Sequence, residues 1–395
     1  MKKINHLISA LIMAAMTAGF ASCSSSDEPS SVSDNTPKEL TLTIMSTKPV
    51  TKAALNSTSA PTDAQEKTIN RITVGIFSSN GNTVRTIQEF GTGTTTASEA
   101  TAGSGKFYNP GNGSATVTVV TTQMVNGDIV AVAINAPTNK FNGVQTLSDF
   151  KKKTISADDA IANGGTTPDA TNIPMYGQIA ATGSAVSFTA AVNVKHLTAK
   201  VTLESLSVAF DPSGPYSDAS FTPTEIFLYN VPDGLQFNDT NPFITPSTYY
   251  TGETGKTNVK EYLSSGTIAS GTALSNTASM SGNYYFYTTP NDNDNTNKTK
   301  LVIKGNFKKN SSDATGTEVY YPVKLNWEVK SDGTSDVPST GDDAYKVLPN
   351  KNYKCKVTIK TIGSTGPGDD IDPTTATITI NVEPFSDVNQ ETVFQ

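Results

Sequence analysis

The 395-residue chain has few of the residues that most site chemistry needs: two cysteines, two histidines and one tryptophan. His6 falls in an N-terminal apolar segment, so His196 alone remains for imidazole chemistry. That argues against a histidine-based zinc site or a histidine-dependent catalytic triad. Charged residues are only 16% of the chain and the formal net charge is −7, which argues against a nucleic-acid partner, since that would need a basic patch. The apolar run near the start is shorter than the roughly 20 residues of a membrane-spanning helix. Thr, Ser, Asn and Gly are left to cover most of the surface, as in many exported β-rich proteins.

Met1-Lys2-Lys3 is a short basic start, Leu7–Phe20 is largely apolar, and Ala21 and Ser22 are small. This is the order of a secretory signal, so residues 1–22 read as a signal peptide cut between Ser22 and Cys23. Phe20-Ala21-Ser22-Cys23 resembles a lipobox, with Phe20 in place of the usual leucine. Cys23 would then carry the lipid, and several acyl chains anchor stably where one binds only marginally. Ser24-Ser25-Ser26-Asp27-Glu28 resembles the serine-and-acid signal that takes lipoproteins of some anaerobic Gram-negative bacteria to the cell surface. The expected location is the outer membrane, exposed at the surface and held in its lipid through Cys23. Residues 23–38 are rich in Ser, Asp and Pro and read as a disordered tether. With Cys23 acylated, Cys355 has no partner for an internal bridge. It lies in the alternating stretch YKCKVTIK and reads as a small buried hydrophobe.

Beyond the tether, apolar residues recur at every second position. ELTLTIMS (Glu39–Ser46) puts Leu40, Leu42 and Ile44 on one face. INRITVGIFSSNGNTV puts Ile72, Val74 and Ile76 on one face and turns at Asn80-Gly81. Between these strands runs a long polar segment without periodicity, the kind of loop that is usually functional or disordered. Ser114–Gln123, Asp128–Ile134 and AVSFTAAVNVKHLTAKVTLESLSVAF add strands. TLSDFKKK, with Ser148 as N-cap, and SADDAIAN read as short helices. In the second half TEIFLYNVP, YYFYTTP, TKLVIKGNF, EVYYPVKLNWEV, NYKCKVTIKTIG and TATITINVEPF are separated by turn signals. The pattern predicts an all-β fold: two tandem Greek-key (transthyretin-like) β-sandwich domains with a few short helices. The expected limits are 39–190 and 191–375, with 376–395 a last strand and tail.

No motif carries catalysis, and no metal site or cofactor is expected. DNDNTN (Asp292–Asn297) lacks the central glycine and closing glutamate of a calcium loop and reads as a hairpin turn. Gly91–Phe107 has the wrong glycine spacing for a phosphate loop. GPGDDIDP (Gly366–Pro373) reads as a flexible acidic linker. His196 reads as a core or interface histidine. The aromatics Tyr284-Tyr285-Phe286-Tyr287 read mainly as core.

The order of Cys23, LTLTIMSTKPVTKA, INRITVGIFSSNG, IPMYGQ, KHLTAKVTLESLSV and the closing LPNKNYKCKVTIKTIGSTGPG…ATITINVEPF resembles the fimbrillins, the type V pilins of anaerobic Gram-negative bacteria. The resemblance implies a surface fimbrial subunit that supports adhesion. It travels as a lipoprotein, is cut by a trypsin-like protease behind its first strand, and polymerises with other subunits by donor-strand exchange. Carried onto this chain, residues 39–52 are the removable strand and loop, with Leu40, Leu42 and Ile44 on the displaced strand. The cut falls between Lys52 and Ala53. The donor is 376–395, led by Ile378, Ile380 and Val382. Better-known proteases of this kind prefer arginine, and the first arginine here is Arg71, inside a strand pattern. A tip, accessory or anchor subunit is an alternative. So is a glycan-binding surface lipoprotein using Trp327 or Tyr284–Tyr287.

Replacing Cys23 by Ala is expected to abolish labelling of the chain by a clickable palmitate analogue, while the full-length protein is still made. Undiminished labelling would remove the lipid anchor.

Overall fold

The computed structural model describes residues 36–46, 61–96, 106–268, 272–276, 278–292, 296–329, 336–338, 346–370 and 376–384. Ser22, Cys23, Lys52 and Ala53 lie outside them. The first part of the chain holds β1 (Lys38–Ser46), helix α1 (Asp63–Glu66), β2 (Ile72–Phe77), β3 (Val84–Phe90), β4 (Thr92–Thr94), β5 (Lys106–Tyr108), β6 (Ser114–Thr121) and β7 (Ile129–Ile134). Helix α2 (Leu147–Lys151), β8 (Thr154–Ser156), α3 (Ala157–Ala162), β9 (Met175–Ala180), β10 (Thr182–Ser184) and β11 (Ser187–His196) follow. The second part holds β12 (Ala199–Val208), β13 (Ser220–Pro232), β14 (Gly234–Gln236), β15 (Tyr249–Thr251), β16 (Ser279–Thr288), β17 (Lys300–Lys308), β18 (Thr317–Lys324), β19 (Trp327–Val329), β20 (Asp336–Pro338), β21 (Lys351–Ile359) and β22 (Ala376–Pro384).

The first ten-stranded sheet runs β3-β2-β7-β9-β11-β1-β6-β5-β4, with β10 on β11. It doubles back at β11. Residues 187–194 of β11 pair with β1, and only Lys195 and His196 pair with β9. The crossing is tight: a Cβ at Gly177 would sit 2.3 Å from the Asn193 carbonyl oxygen, so β9 needs glycine there. Alternation then fills the space between the layers. Leu40, Leu42, Ile44, Val117, Val119 and Val192 meet Ile72, Val74, Ile76, Val130 and Val132 in one buried cluster. The other face of β2 and β7 is also buried, because Phe77, Ala131 and Ala133 pack on Phe141, Leu147 and Phe150 around α2. Phe141 and Phe150 stack with ring centroids 3.9 Å apart. The cap of α2 is Thr146, whose side chain accepts from the Asp149 amide at 3.0 Å, not Ser148, which lies inside the helix. Ser156 caps α3, and Asn163 closes it in the left-handed conformation.

The second part is a two-sheet sandwich, β16-β12-β21-β22 over β15-β13-β17-β18. Val201, Leu203, Phe221, Ile226, Leu301, Tyr321, Tyr353 and Cys355 fill its core. Burial pushes the Cys355 thiol well above its ordinary pKa, as expected of a packing residue. Phe286 and Tyr287 are buried, with Tyr284 and Tyr285 packed at the margin of the same cluster. The Trp327 side chain lies outside the described residues.

The expected division near residue 190 falls inside β11. The chain passes from one sheet system to the other at Leu197-Thr198, because alternation continues unbroken to His196. The two halves also share core. Ala157, Ile161 and Ile173 enter the second cluster, and Leu235 and Phe237 enter the first part's outer cluster.

A buried polar junction adds to this contact. Thr62 and Gln65 cap α1 reciprocally, which places Glu66 at the end of its single turn. The Glu66 carboxylate accepts from Lys200 Nζ at 2.6 Å and from the Tyr287 hydroxyl at 2.5 Å. The Glu66 carbonyl accepts from His196 Nε2 at 2.7 Å. Burial, opposed mainly by the bond to Glu66, holds the His196 pKa below its ordinary value of 6.5. Folded His196 is therefore neutral, whereas the unfolded chain takes up its proton below pH 6.5. That uptake removes stability as the pH falls. The thermal midpoint is expected to drop from pH 7.5 to pH 5 more steeply in the parent chain than in His196→Gln. Parallel pH profiles would show that His196 carries no such linkage.

Candidate assembly site

The residues that the sequence assigns to strand removal and strand donation lie in two elements, β1 and β22. The structure describes both. β1 is an inner strand. It runs parallel to β11, with Glu39 opposite Ser187 and Ser46 opposite Val194. On its other side it runs antiparallel to β6, with Lys38 opposite Thr121 and Met45 opposite Ser114. Leu40, Leu42 and Ile44 are fully buried, while Glu39, Thr41 and Met45 face outward. Burying three aliphatic side chains contributes about 5–9 kcal/mol, comparable with the roughly 5–15 kcal/mol net stability of a typical domain. Emptying this position would leave an apolar slot flanked by unpaired backbone on β6 and β11.

β22 is an edge strand. Among the described residues it pairs only with β21, antiparallel, from Lys351 opposite Pro384 to Ile359 opposite Ala376. It can therefore leave by giving up one ladder, and β21 remains paired to β12. β1 and β22 are each nine residues long. In KELTLTIMS the apolar residues Leu40, Leu42 and Ile44 stand third, fifth and seventh. In ATITINVEP, Ile378, Ile380 and Val382 stand third, fifth and seventh. The two strands share one pattern, so a β22 segment laid along the β1 direction presents the same face to the slot.

The chain leading into β22 is held more firmly than its composition suggests. Gly366–Pro373 reads as a free linker, yet its described part, Gly366–Asp370, is clasped by two buried lysines. Lys300 Nζ donates to the carbonyl oxygens of Gly368 at 2.7 Å and Asp369 at 2.9 Å, and to Asp370 Oδ1 at 3.0 Å. Lys324 Nζ lies 3.2 Å from Asp370 Oδ2. Upstream, Ser364 exchanges both backbone bonds with Tyr320. The hydrophilic composition of the linker reflects these partners rather than freedom. Partial burial of Asp370 raises its pKa, but the two ammonium groups outweigh this and hold it below the ordinary 3.8.

At the other end, β1 stops at Ser46 and the described chain resumes at Pro61. Four residues into α1, Glu66 is already locked to Lys200 and Tyr287. Nothing in the residue pattern points to this anchor. Among the described residues no group of three or more His, Cys, Asp or Glu is arranged to hold a metal.

A family model described as the major fimbrial subunit protein (FimA) matches residues 39–205. No curated protein sequence matches the chain. Several solved structures share its fold. A fimbrilin from Porphyromonas gingivalis is 15% identical, with a TM-score of 0.57, covering 89% of this chain and 99% of that one. A candidate cell-adhesion protein from Parabacteroides distasonis is 15% identical at a TM-score of 0.61, covering 89% and 98%. Another from Bacteroides eggerthii is 19% identical at 0.57, covering 89% and 97%.

A carboxylate with a depressed pKa contributes stability above its unfolded value and loses it as pH falls through the folded one. The Asp370 clasp is therefore intact at neutral pH and opens only in strong acid. Asp370→Asn at pH 7 is expected to speed amide hydrogen exchange at Ser364–Asp370 and leave β1 protected. Unchanged exchange at Ser364–Asp370 would mean that the clasp restrains nothing.

Proposed function

We propose that this chain is a stalk-type subunit of the fimbrillin kind, exported as a lipoprotein and polymerised by donor-strand exchange; the match of residues 39–205 to the major fimbrial subunit model and the fimbrilin-like fold support this reading. It is a structural, adhesion-related protein of a cell-surface fimbrium rather than an enzyme. The observation that carries the finer reading is the shared nine-residue pattern of β1 and β22, one an inner strand and the other an edge strand.

In this reading Cys23 holds the precursor in outer-membrane lipid until a trypsin-like protease cuts between Lys52 and Ala53. The lipid and β1 leave together. The remainder stays in place because Glu66 is fastened to the second sandwich. The open slot between β6 and β11 presents two unpaired edges and an apolar floor, a template for another strand. The donor is 376–395 of a neighbouring subunit, with Ile378, Ile380 and Val382 replacing Leu40, Leu42 and Ile44. The contact is head-to-tail and does not close on itself, so it propagates as a filament. The arm pivots beyond Asp370, downstream of the lysine clasp.

Two variants test the two ends of this scheme. Deleting Ala376–Gln395 is expected to give a folded, exported subunit that forms no multimer ladder on unheated gels. Lys52→Ala is expected to accumulate as the uncut, lipid-bearing precursor. Normal ladders from the deletion would remove the donor assignment, and normal processing of Lys52→Ala would move the cut.

A further inference from the structure

Besides the assembly elements, one cavity of about 300 Å³ opens where the two halves of the chain meet. Three separate segments build it. β11 supplies Lys195, the loop after β14 supplies Asp239 and Phe243, and the approach to β21 supplies Lys346 and Asn350, with Lys351 the first residue of β21 itself.

Its charge runs against that of the molecule. The chain carries a net −7, yet three lysines and a single carboxylate line this cavity. Lys195 reaches Asp239 only at 3.8 Å, with half of its side chain exposed. Such a pair is worth little. Lys346 and Lys351 form no ion pair among the described residues. Like charges held together around one concave surface focus a positive potential and favour an anion there. The rest of the wall has a different character. Lys346 Nζ stands 6.0 Å from the centre of the Phe243 ring, and Leu348 and Pro349 add apolar surface. The Asn350 amide and the Thr240 hydroxyl supply neutral hydrogen-bonding groups on the same cavity. Behind it lies His196, neutral and bonded to the Glu66 carbonyl, so the floor is fixed.

A mixed apolar and polar cavity at the small end of ligand sites, with ammonium groups at its rim, suits one ring that bears hydroxyls, an apolar face and a carboxylate. We propose that this cavity binds an acidic sugar residue, a hexuronate or a sialate, with Lys346 and Lys351 on the carboxylate and Phe243 against the ring. Among the described residues no residue of β1 lines the cavity, and of its lysines only Lys351 adjoins β22, through its pairing with Pro384. The site would give each subunit, wherever it sits in a filament, its own glycan contact.

The test is titration of the full chain with sodium glucuronate, glucose and sodium acetate, followed by calorimetry or ligand-observed NMR at low salt. Saturable binding is expected for glucuronate, with glucose and acetate at least about tenfold weaker, since one needs the charge and the other the ring. The double variant Lys346→Ala/Lys351→Ala should lose at least about tenfold in glucuronate affinity with an unchanged thermal midpoint. Phe243→Ala should weaken glucuronate and leave acetate unaffected. Acetate binding as tightly as glucuronate would overturn the sugar assignment and leave a plain anion site. Absence of saturable glucuronate binding, or binding insensitive to both variants, would overturn the proposal.

Discussion

The first sheet system depends on a strand that is central in the sheet yet first in the described chain. β1 completes the first sheet system: it joins β6 to β11 and contributes three of the buried side chains around which the two layers close. Yet it lies at one end of the described chain, and the segment that follows it is fastened elsewhere, at Glu66. Here covalent connection and structural necessity are uncoupled. Under the proposed exchange the other features take on roles: β22 repeats the β1 pattern from an edge position, and Glu66 and Asp370 are held by lysines on either side.

These two anchor points use lysines, Lys200 half-buried and Lys300 and Lys324 buried. Lys200 holds α1 to the second sandwich through Glu66, and Lys300 with Lys324 holds the approach to β22 through Asp370. Buried Glu66 makes the first point costly to break, while at the second the partly exposed Asp370 is shared between its two lysines and solvent. The two halves also share core at α3 and β14.

Much of the architecture could be read from alternation alone. A strand with one buried face must repeat every two residues, and Leu40, Leu42 and Ile44, or Ile72, Val74 and Ile76, do so and lie in the core. The division between the halves was less legible, because β11 and β12 form one alternating run interrupted only by Leu197-Thr198. The cap of α2 was displaced by two residues, since Thr146 and Ser148 are both good caps and only packing of Leu147 and Phe150 decides between them. The clasp had no local signal. Glycine, proline and aspartate announce a loop, but the lysines that hold it lie in β17 and β18. The Glu66 junction was equally hidden, because a single helical turn leaves no periodicity and its partners lie far along the chain.

The contrasting positions of β1 and β22 also have a mechanical consequence. A strand lodged between β6 and β11 is bonded along both sides, so tension along its axis runs across the hydrogen bonds and loads the whole ladder at once. An edge strand such as β22 can instead be peeled from one end, breaking its pairs one after another. The same nine-residue pattern is thus easy to lift from its resting place and resistant to sliding from the slot, so a chain of such joints would carry shear without needing a covalent bond.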